Sequence, residues 1–93
     1  MLFIAIHEHR PESCPVVELS PILQLVDEEH ISEAGVRVLG SYTAPPEHTL
    51  FFVLEASDYS QLVRFFRPMM TIGVPRIVPV QTMDEAIEIF SQR

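Results

Sequence analysis

Ninety-three residues, 47% of them hydrophobic and 20% charged, make a single domain spanning 1–93 with enough apolar side chains to close a core. Thirteen acids against six arginines leave a net charge of -7, which excludes the clustered cations that bind a phosphate backbone or an anionic membrane. A mean hydropathy of +0.22 argues against disorder.

What is missing narrows the chemistry further. There is no lysine, so a Schiff-base enzyme, a pyridoxal-phosphate enzyme and a P-loop are all excluded. The lone cysteine, Cys14, allows no intrachain disulfide and no paired-cysteine zinc motif. A free thiol suits a reducing compartment, and the expected location is the cytoplasm. No apolar run approaches the roughly 20 residues of a membrane span, and the opening Met-Leu-Phe-Ile-Ala-Ile lacks the basic start of a signal peptide.

The first element is a strand over Leu2 to His9, with Leu2, Ile4, Ile6 and Glu8 on one face and Phe3, Ala5, His7 and His9 on the other. Pro11 and Pro15 make the next segment a loop. Ser20-Pro21 opens a helix, with Ser20 as its cap, and Ile22, Leu23, Leu25, Val26 and Ile31 form one apolar side before Gly35 terminates it. Asp27-Glu28-Glu29 weakens this helix beyond residue 30, because acids there oppose its dipole.

Val36 to Thr43 and His48 to Ala56 are strands joined by the stiff Ala44-Pro-Pro-Glu47 turn. Asp58 caps a second helix that ends near Phe66 and buries Leu62, Val63, Phe65 and Phe66. Val74 to Gln81 is a fourth strand whose Pro75 and Pro79 confine it to a sheet edge. Thr82 and Glu85 form a capping box for a last helix, with Ala86, Ile87, Ile89 and Phe90 as its expected buried stripe.

The order β-α-β-β-α-β plus a C-terminal helix is the α+β ferredoxin-like arrangement, a four-stranded antiparallel sheet in the order 4-1-3-2. Helices cover one face of such a sheet. The other face, carrying residues such as Phe52 and Val38, is an apolar surface too large for a monomer, so a homodimer is expected.

His7-Glu-His9 with Pro11-Glu-Ser-Cys-Pro15, Val38-Leu-Gly-Ser-Tyr42, Pro45-Pro-Glu-His48, Phe52-Val-Leu-Glu-Ala56 and Arg76-Ile-Val-Pro-Val80 together resemble a family of small archaeal and bacterial proteins of unknown function. The resemblance implies a ferredoxin-like fold of the dimeric α+β barrel type and brings no activity with it. Other dimeric barrels include monooxygenases, isomerases and ligand-sensing regulators, a likeness of fold alone.

In this topology His7, His9, Tyr42, Thr43, Glu47, His48 and Arg76 fall at strand ends on one rim, beside the loop that carries Cys14. Three readings follow. His7 and His9 share a strand face about 6–7 Å apart, and with His48 and Cys14 they form a donor set for zinc, nickel, copper or iron. Alternatively, a small organic ligand occupies a cavity lined by Phe3, Ala5, Val38 and Phe52, with His7, Tyr42 and Arg76 orienting it; Glu55 is the simpler ion-pair partner for Arg76. The third reading is a small oxygenase- or isomerase-type enzyme with His7 or His9 as proton-transfer group, although no nucleophile motif supports it. Without a ligand, the domain is an interaction module. His30, among acids in mid-helix, is expected to be merely hydrated.

Overall fold

Alternation along the first strand decides which face of the sheet is covered. In the computed structural model, which describes residues 1–16 and 18–92, β1 (Leu2–His9) buries Ala5 and His7 completely, while Ile4 and Glu8 stay exposed. Its odd-numbered residues therefore face the helices and its even-numbered residues face outward. The remaining strands are β2 (Arg37–Ala44), β3 (Thr49–Glu55) and β4 (Gly73–Val80). All pairs are antiparallel, in the order β2-β3-β1-β4, as expected for a ferredoxin-like sheet. β4 is an edge strand, so the amides that Pro75 and Pro79 lack can be spared on its unpaired side.

Residues directly opposite one another share a face. Phe52 lies opposite Ala5 and Val38 opposite Leu54, which puts both in the covered core rather than on the open surface expected for them. Phe52 meets Phe65 and Phe66 edge to face, with ring centroids 5.7 and 5.6 Å away, and Leu54, Leu62 and Met69 complete the packing. Ala5, Phe52 and Leu54, at most 2% exposed, belong to the packed core between sheet and helices. The open face carries Ile4, Ile6, Phe51, Val53 and Val78 instead.

The helix expected after Ser20 is two helices, α1 (Ser20–Leu25) and α2 (Glu28–Ala34). The break comes from Asp27, whose extended backbone and side-chain oxygen, accepting from the His30 amide, begin a new helix. Glu28 and Glu29 consequently sit in a first turn, where the dipole favours them. Ser20 is not the cap of α1; Leu19 holds that position, and the Ser20 amide donates to Glu18. Gly35 takes the left-handed conformation at φ 82° that ends α2, as its position suggests. α3 (Tyr59–Phe66) begins at an Asp58–Gln61 capping box.

α4 (Met83–Ser91) has the expected Thr82–Glu85 capping box, but the stripe it was expected to bury lies open: Ile87 is 54% and Phe90 83% exposed. The helix forms from its local signals, and none of its residues is buried against the rest of the described chain. Among the described residues, no helix is long and apolar enough to cross a membrane.

Candidate functional site

Three donors converge where β1 ends. His9 is the last residue of β1 and lies on its helix-facing side. After it, a 3-10 turn over Pro11–Ser13 reverses the chain and delivers Cys14, which is buried and carries a free thiol. His48 follows a second 3-10 turn, Pro45–Glu47, and leads into β3. The His9 amide donates to the His48 carbonyl at 3.1 Å and ties the two chain segments together. One donor atom from each of His9, Cys14 and His48 falls within 4.8 Å of the others. Tetrahedral ligation separates donor atoms by about 3.5 Å, so a contraction of roughly 1 Å closes the set around an ion.

His48 holds this position in a left-handed backbone conformation, φ 52° and ψ 42°, the one non-glycine residue with positive φ among those described. Such a conformation is disfavoured for a residue with a Cβ and collects at functional sites. The rings support the same interpretation. Both nitrogens of His9 and Nδ1 of His48 are buried without a hydrogen-bond partner. A buried nitrogen left unpaired is costly, and a bound cation is one way to satisfy its lone pair.

Electrostatics keep His9 ready to coordinate. Burial, reinforced by the neighbouring His7 and His48, holds its pKa below the ordinary 6.5. The neutral imidazole, the form that binds metal, therefore dominates at neutral pH.

His7 stands behind this group. Its Nε2 lies 3.0 Å from the Met69 carbonyl, and since a carbonyl only accepts, that nitrogen carries the proton. Nδ1 is then a buried lone pair without a partner. The His7 ring centroid lies 5.8 Å from that of His9, and His7 is outside the converging trio. Of the four expected metal ligands, His9, Cys14 and His48 come together, while His7 is tied to the backbone of the turn after α3. His7 is fully buried, so no bulk water reaches its ring.

The expected organic-ligand set does not assemble. Tyr42, Phe51, Ile6 and Arg76 form one row across the open face of the sheet, with Tyr42 on β2 and Arg76 on β4 at its two ends. Three strand spacings, about 14 Å, separate the pair, and His7 points to the other face. Glu55 pairs with Arg37 at 3.0 Å, not with Arg76. A groove of about 790 Å³ does open beside the trio, lined by His9, Arg10, Ser13, Gly73, Val74 and Arg76 among others.

Two contributors escaped the sequence reading. Gly73 lies opposite His9, and a Cβ there would run into Glu8 O and His7 Cε1 and come within 2.7 Å of His7 Nε2. The His7 ring thus occupies the space a side chain would need; a glycine opening a strand is the signal that could have shown it. His30 is not simply hydrated. Its Nε2 donates to the Phe65 carbonyl at 2.8 Å and its ring stacks on Phe65, clasping α2 to α3.

The family model described as a domain of unknown function, DUF3303, matches residues 1–93, the whole length of the chain. The chain belongs to the DUF3303 family. No curated protein matches it. The family assignment brings no activity, so the function of this DUF3303 domain has to be argued from the trio itself.

Proposed function

We propose that this domain is a homodimeric binding protein that holds a transition-metal ion at His9, Cys14 and His48. The observation that carries the reading is the convergence of two imidazoles and a thiol at a place where the ring nitrogens are buried and otherwise unpaired. Two nitrogens and a sulfur suit zinc, copper, nickel or iron and discriminate against calcium and magnesium, which prefer oxygen. Three protein donors leave a coordination position for water or a small exogenous ligand. His7 supports the site as a buried neighbour whose proton position is set by Met69.

The homodimer follows from the open face, where Ile4, Phe51 and Val78 are each more than a third exposed and lie beside Ile6 and Val53. Metal analysis of the purified protein, with calorimetric titration of the chelated form by zinc, tests the metal. Retention or binding of an ion in proportion to the chain is expected, and the absence of zinc, copper, nickel and iron together with no heat of binding would remove it.

A further inference from the structure

α4 presents Met83, Ala86, Ile87 and Phe90 at the spacing of a single helix face. Met83 is 77% exposed, and no residue of α4 is buried. The radius of gyration, 14.7 Å, exceeds the approximately 12 Å of a compact domain of this length, and the longest dimension reaches 53 Å. An amphipathic helix thus stands away from the body that should cover it.

The body offers a surface of matching chemistry. The groove at the junction of β1 and β4 has Ile6, Val74 and Pro75 in its apolar walls and Arg10 and Arg76 at its margins, with Glu8 the single acid lining it. Arg10 is engaged by Glu12 at 3.7 Å, whereas Arg76 has no ion-pair partner among the described residues. On α4, Glu85 is occupied by the capping box, but Asp84 and Glu88, four residues apart on one flank, are free of side-chain partners among the described residues.

Topology says which copy fills the groove. The groove lies at the Gly73 end of β4, and α4 leaves from the Val80 end, about 23 Å away along the strand. A two-fold axis crossing β4 places the Val80 end of a second copy next to the Gly73 end of the first. It brings the second copy's α4 to the groove and the first copy's α4 to the equivalent groove, and so the assembly closes.

We propose that α4 is an exchanged arm: in the homodimer each α4 docks in the β1–β4 groove of the other copy, with Ile87 and Phe90 against its apolar walls and Asp84 and Glu88 facing Arg76. This rests on the homodimer proposed above, and names what joins the two copies. Sedimentation of the full chain separates the two claims. The wild type is expected to be a dimer, and Phe90→Asp or Arg76→Glu should each raise its dissociation constant by about tenfold or more. Adding Asp84→Arg and Glu88→Arg to Arg76→Glu should restore most of the affinity, since the ion pairs are re-formed with reversed signs. Circular dichroism should show unchanged secondary structure in the Phe90 variant, because that side chain is 83% exposed. A wild-type dimer whose dissociation constant is unchanged in Phe90→Asp would overturn the exchanged arm and leave the homodimer standing. A wild type that stays monomeric at micromolar concentration would overturn both and leave the groove to a different occupant.

Discussion

The amide of His9 donates to the carbonyl of His48 at 3.1 Å, so the end of β1 and the start of β3 are joined at the place where their imidazoles meet. The ring centroids are 5.6 Å apart and nearly perpendicular. This backbone bond holds His48 beside His9 even though its own φ of 52° is unfavourable for a histidine.

Replacing His48 by glycine should therefore separate stability from binding. Glycine adopts the left-handed conformation freely, so relief of about 1 kcal/mol is expected in urea denaturation of the metal-free protein. Zinc affinity, measured in parallel, should fall sharply. A variant that is less stable without metal yet still binds zinc would contradict the role given to this residue.

Gly73→Ala places a methyl group where the His7 ring and the Glu8 carbonyl already lie. Because one obstacle is backbone, the strand must shift, and a loss of about 1–3 kcal/mol is expected. Denaturant midpoints give the measurement; a neutral substitution would mean that the end of β4 yields more easily than the packing indicates.

The clasp between α2 and α3 is testable at His30. Removing its ring in His30→Ala leaves the Phe65 carbonyl without its donor near the end of α3 and should cost about 1–2 kcal/mol. Metal affinity should be unchanged, since His30 is outside the converging trio.

His9 also makes stability depend on pH. Its folded-state pKa is depressed below 6.5, so over the interval between the two values the unfolded chain binds more protons. Its contribution is present above pH 6.5 and is lost as the pH falls toward the folded-state value. Urea midpoints of the metal-free protein between about pH 7.5 and 5 should decline on acidification, and His9→Gln should flatten that part of the decline. An unchanged slope in the variant would assign the effect elsewhere.

The parts of this fold that were legible in sequence are those with local causes. Asp58, and Thr82 with Glu85, start helices because their side chains satisfy amides within one turn, and Gly35 ends a helix because it tolerates positive φ. The prolines of β4 announced an edge for an equally local reason. What period-2 alternation could not supply was the absolute face of β3: Phe51 and Phe52 are both aromatic, and only the pairing with β1 puts Phe52 inside. The break at Asp27 was hidden because its acids read as a charged helical stretch, although the same residues favour a helix start. Among the site residues, the rim placement brought His9, Cys14 and His48 together, since all three lie where β1 ends and β3 begins. It misjudged Tyr42 and Arg76, which share a row but stand at opposite edges of the sheet. The tie of His7 to Met69 is a contact across 62 residues and left no mark on the local pattern.

Cobalt titration of the chelated protein, comparing wild type with Cys14→Ser, tests the metal centre most directly, because a thiolate bound to cobalt gives a charge-transfer band that imidazole alone does not. The wild type should develop that band together with visible absorption of a four-coordinate ion, saturating at a single ion per chain, and the serine variant should lack the charge-transfer band. A titration that leaves the wild-type spectrum without a thiolate band, or with one that survives in Cys14→Ser, would contradict coordination by His9, Cys14 and His48.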